Sequence, residues 1–134
     1  MEPRTIFLNR LIGLYAIVIS LAMMARKQSV IATLAAMMDD APLMLSIAIA
    51  TVTIGLAIVL THNVWRGGAA AVIVTLIGWS TLLKGTLLLF LTKESATDLY
   101  LRRLHYDQYF YAYLGVFLLL GLYLTYEGFK SAAS

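Results

Sequence analysis

A chain of 134 residues is long enough for one domain and too short for two. Hydrophobic residues make up 61% of it and charged residues only 13%, with a mean hydropathy of +0.85, against roughly 25% charged in an average soluble domain. So few charges cannot cover a water-soluble monomer of this size, and disordered chains are far more polar.

There is no cysteine, hence no disulfide framework, thiolate metal site or thiol nucleophile. A formal charge of +3, scattered along the chain, is not the clustered basic face that nucleic acid requires. The composition predicts an all-α integral membrane protein.

An apolar run of about 18 residues or more crosses roughly 30 Å of hydrocarbon as a helix. Four such spans follow along the chain. The first is expected over 6–25, with Asn9 and Arg10 in its opening turns and a clean apolar core over 11–24. Arg4 and Arg10 ahead of that core resemble a signal peptide, but no small-x-small cleavage site follows, so a retained helix is expected. In the connection 26–41, Val30, Ile31, Leu34, Met37 and Met38 fall at helical spacing ahead of Asp39 and Asp40. That pattern reads as a short interfacial helix, or as an extra turn or two below the second span.

The second span, 43–61, carries no charge, and Pro42 stands at its start, where a missing N–H costs nothing. Gly67 and Gly68 in the link 62–68 predict a tight turn that packs spans two and three as an antiparallel hairpin. The third span, 69–92, is interrupted by Lys84 alone. Segment 93–107 mixes charges with Leu99, Tyr100, Leu101 and Leu104, which suits the headgroup zone. Tyr100, Tyr106, Tyr109, Tyr111 and Tyr113 form an aromatic belt where the fourth span, 109–126, enters.

The expected architecture is therefore one transmembrane domain over 1–134, a four-helix bundle with a short interfacial helix between its first two spans. An even number of crossings puts both termini on one side, the terminal side, opposite a loop side. The terminal side carries Arg4, Arg10, Arg66 and Lys130, and the loop side Arg26, Lys27, Lys93, Arg102 and Arg103. That near-equal count leaves the orientation open.

Sidedness restricts chemistry. His62 and His105 are expected on opposite faces, roughly 30 Å apart, so one subunit cannot use both in one site. No zinc-ligand spacing, phosphate loop or nucleophile motif is present, so no catalytic residue, cofactor or metal is expected. Lys84 is the residue of most interest, because an ionisable group within a span is costly and marks function by default. Its stem could instead snorkel to the loop-side interface, or pair with Asp39 or Asp40, with Ser80 and Thr81 supplying hydrogen bonds.

On the terminal side Asn9, Arg10, His62, Asn63, Arg66 and Glu127 reach one interface beside Trp65. Arg10 with Glu127 is expected as an ion pair, Asn63 as a cap of the following turn, and His62 as a group suited to proton exchange. Thr75, Gly78, Leu82 and Gly85 share one face of span three and predict close helix contact, as do Gly115 and Gly121 in span four. Trp79 is expected to pack.

The stretches His62-Asn63-Val64-Trp65, Thr75-Leu76-Ile77-Gly78-Trp79 and Lys84-Gly85 resemble a pattern of small uncharacterised bacterial inner-membrane proteins. The resemblance covers spans two and three, about a third of the chain. It implies a plasma-membrane location and four helices, and it carries no activity with it. The expected function is a non-catalytic accessory or assembly subunit in the lipid bilayer that packs on partner helices or on itself. The alternative is an oligomeric pathway for a proton, ion or small solute that uses Lys84, and last comes a lipid-acting enzyme with His62 as base.

Overall fold

The computed structural model describes residues 2–91 and 109–133, which form five helices: α1 (Pro3–Ala25), α2 (Lys27–Asp39), α3 (Ala41–Thr61), α4 (Ala69–Phe90) and α5 (Phe110–Ala133). All but α2 are long and apolar enough to cross a membrane. Segment 93–107, with His105, Tyr100 and Tyr106, lies outside the described residues.

The local signals act as the sequence suggests. Pro3 and Pro42 open α1 and α3 at positions whose N–H would be unbonded in any case. The Asp40 carboxylate accepts from the Leu43 N–H at 3.0 Å and caps α3. Single non-helical residues, Arg26 and Asp40, set α2 off from α1 and from α3, so the segment between the first two spans is a discrete helix and not an extension of the second span. Gly67 and Gly68 adopt φ of 96° and 122°, the left-handed region where a side chain is strained. Helix α5 runs on to Ala133, seven residues past the expected end, because the polar residues after Tyr126 leave the apolar zone without breaking the helix.

The bundle is built from two antiparallel pairs, α1 on α5 and α3 on α4. Missing side chains bring each pair together. A Cβ at Gly13 would collide with Thr125 and one at Gly121 with Ala16, while a Cβ at Gly55 would meet Leu82 and one at Gly85 would meet Val52. Gly78 abuts Ile58 in the same way, so the stripe Thr75, Gly78, Leu82 and Gly85 is the α4 side of this seam. Gly115 departs from expectation: among the described residues, nothing lies within 4 Å of a Cβ added there. It sits on a face of α5 turned away from α1.

The buried stripe of α1 is Thr5, Asn9, Gly13, Ala16 and Ser20, whereas Phe7, Leu11, Leu14, Val18 and Leu21 face outward. A helix in water buries its large apolar side chains and exposes its polar ones. This helix does the reverse, as expected where lipid is the solvent and close packing holds helices together. The two pairs meet through a small cluster of Ala70, Val74 and Leu124, flanked by Leu8, Ile12, Ile73 and Ile77.

Candidate functional site

A buried polar cluster forms where the two pairs meet, around the end of α3. The α3 helix stops at Thr61, and His62 turns into an extended conformation (φ −147°, ψ 88°) that sends its ring inward. His62 is 2% exposed. Its Nε2 lies 3.1 Å from the Ala71 carbonyl oxygen, which can only accept, so Nε2 carries a proton. In the neutral ring Nδ1 then accepts from the Thr5 hydroxyl, 3.3 Å away on α1. One imidazole therefore joins three elements: the α3 end, the first turn of α4 and the first turn of α1.

Thr75 extends the cluster. Its Oγ1 accepts from the Val64 N–H at 3.0 Å, and its single proton lies between the Val64 carbonyl (2.8 Å) and the Ala71 carbonyl (3.1 Å). Residues 62–64 have left the helix, and the Thr75 hydroxyl supplies Val64 with partners that a continued helix would otherwise provide. The link is thus a segment laid back along α4, in addition to the glycine turn that the sequence suggests.

Asn63 does not cap the turn. Its Oδ1 accepts from the indole N–H of Trp65 at 2.8 Å and from that of Trp79 at 3.4 Å. Trp79 is accordingly partly exposed and leans toward the link.

Arg10 does not pair with Glu127. Its Nε donates to the Gly128 carbonyl at 3.2 Å, and its guanidinium carbon lies 4.5 Å from the centroid of the Phe129 ring. The reason is steric. With no side chain at Gly128, the Arg10 stem lies flat against α5, so close that an added Cβ would sit 2.9 Å from Arg10 Cγ. Arg66 is exposed and joins neither group.

Lys84 is exposed, Ser80 is exposed and Thr81 is half-buried. At 100° per residue, Thr81 and Lys84 continue the α4 face that begins with Ala70, Ile73, Val74 and Ile77. Ala70 and Val74 belong to the cluster joining the two pairs and Ile73 and Ile77 pack against it, so by helical spacing Lys84 lies on the same side of α4, nearer its C-terminal end. It stands six residues before the end of α4, about 9 Å by helix rise. Asp39 and Asp40 stand at the same end of the bundle, Asp40 engaged as the α3 cap.

Among the described residues, no three His or carboxylate side chains gather as a metal ion would require. Sequence reasoning passed over Thr5, Ser20, Gly13, Gly55 and Gly128. The spacing of Thr5, Asn9, Gly13, Ala16 and Ser20, each three or four residues from the next, is the signal that finds most of them. Compared with models of known families, with curated proteins and with solved structures, the chain matches none.

Proposed function

We propose that this multi-pass protein is an accessory or assembly subunit of the bacterial plasma membrane, with both termini on one side, whose outer helix faces pack on partner transmembrane helices. The observation that carries the reading is how little each helix uses for its own fold. Only 11% to 22% of the residues in each spanning window are buried within the chain. The interior is consumed by the two glycine seams and the His62 cluster, and the described part contains no constellation suited to catalysis. What remains is a broad apolar exterior.

Purification in mild detergent tests this directly. A stoichiometric complex with at least one other membrane protein is the expected outcome. Recovery of the chain solely as a homo-oligomer overturns the reading.

The placement of Lys84 favours a second reading, an oligomeric pathway for an ion or small solute. A cation on the same side of α4 as the joining cluster, with Thr81 beside it, would select anions. Lys84→Met then abolishes anion flux in proteoliposomes, whereas on the subunit reading it leaves both the fold and the partner profile intact.

A further inference from the structure

The Arg10 side chain is held as a fixed fork. Its stem lies in the slot left by Gly128, its Nε is committed to the Gly128 carbonyl, and its flat face covers Phe129. Its two terminal amino groups have no protein partner among the described residues, since Glu127, one residue before the slot, does not take them. A guanidinium immobilised at one edge and one face, with its far edge open, has the geometry for two parallel hydrogen bonds to a phosphate or carboxylate.

Its position narrows the choice. The apolar core of α1 begins at the next residue, Leu11, so Arg10 stands at the boundary between hydrocarbon and headgroups. Below it on the same side of α1, Leu11 and Leu14 are exposed, and Phe7 lies above. An anion held here has apolar surface running into the bilayer beneath it. The rest of this rim is cationic on balance, with Arg4, Arg66 and Lys130 against Glu2 and Glu127. Trp65, Tyr126 and Phe129 are exposed along it, as side chains at headgroup level are.

We propose that Arg10 binds the phosphodiester of an anionic phospholipid in the terminal-side leaflet, with one acyl chain lying along Leu11 and Leu14. Gly128 and Phe129 are the positioning residues. The site is independent of the subunit reading and rests on the four helices spanning a bilayer, which recovery of the intact chain in the membrane fraction checks separately.

Native mass spectrometry of the full chain, released from micelles doped with phosphatidylglycerol or phosphatidylcholine, provides the test. The wild type is expected to retain one phosphatidylglycerol, at about tenfold preference over phosphatidylcholine. Arg10→Gln removes the retained lipid, and Arg10→Lys, which keeps the charge and loses the fork, weakens it about five- to tenfold. Gly128→Ala weakens it with no change of charge. Phe129→Leu serves the same purpose should Gly128→Ala fail to match the wild type in helical circular dichroism and elution volume.

Equal retention by wild type and a folded Arg10→Gln overturns the proposal, and so does equal retention of the two lipids. Displacement of the lipid by millimolar inorganic phosphate also overturns it, because the site is then one for free phosphate.

Discussion

At the scale of single residues, the structure separates side chains that look alike in sequence. His62 and Arg10 both stand at the ends of apolar runs, yet one is enclosed and the other is spread over a ring. Replacing His62 with Leu leaves the Thr5 hydroxyl without its partner and cuts the polar tie between the pairs. We expect a loss of about 1–3 kcal/mol, and about 1 kcal/mol for Thr5→Val. The double mutant should cost less than the sum, because the two side chains share one hydrogen bond. Thermal or denaturant unfolding in detergent reads all three, and strict additivity would refute the bond.

Ser20 offers the opposite test. Its hydroxyl is fully buried and has no hydrogen-bond partner among the described residues, so Ser20→Ala should stabilise the fold by about 1 kcal/mol. A clear destabilisation would mean that the hydroxyl has a partner.

The sequence placed His62 on the terminal side but could not show it buried, because its partner on α1 is 57 residues away. The expected Arg10–Glu127 pair failed for a similar reason. Opposite charges at one level suggest a pair, but the empty slot at Gly128 decides where the arginine stem lies.

At the scale of elements, the glycines form two classes. Six helical glycines hold a neighbouring helix so close that a Cβ would lie within 3 Å of it. Gly13→Val or Gly85→Val should therefore force a pair apart and cost about 1–3 kcal/mol or more. Among the described residues nothing crowds Gly115, so Gly115→Ala should be neutral or stabilise by up to about 1 kcal/mol through helix propensity alone. A Gly115→Ala loss as large as that at the seams would contradict the placement of this helix face.

All four spans were legible from hydropathy, and the seam on α4 from its stripe of small residues. The matching stripe on α1 was harder to read, because Thr5, Asn9 and Ser20 look like end-of-helix polarity when taken singly. The pairing of α3 with α4 was legible from the short glycine link between them, but the pairing of α1 with α5 was not. Helix α1 shows no preference in its composition between the neighbour next in sequence and the one at the far end of the chain.

At the scale of the whole molecule, the two pairs meet among the described residues through a small apolar cluster and the His62 imidazole at the terminal side. Losing that joint should leave each pair intact. With no native cysteine to interfere, spin labels on α1 and α4 of the His62→Leu variant should report broader distances than in the wild type. Labels on α3 and α4 should be unchanged. Identical distributions across α1 and α4 would mean that something other than this joint fixes the pairs.

The first helix is matched with the last. During synthesis α1 enters the lipid with an amide and two hydroxyls on the stripe meant for α5, and roughly 85 further residues must be translated before that helix emerges. At about 5–20 residues per second, this leaves the nascent protein unfinished for on the order of 10 s. Through that interval the half-made chain presents a sticky polar strip to its surroundings, which makes it a natural client for an insertion chaperone and a vulnerable one for membrane proteases.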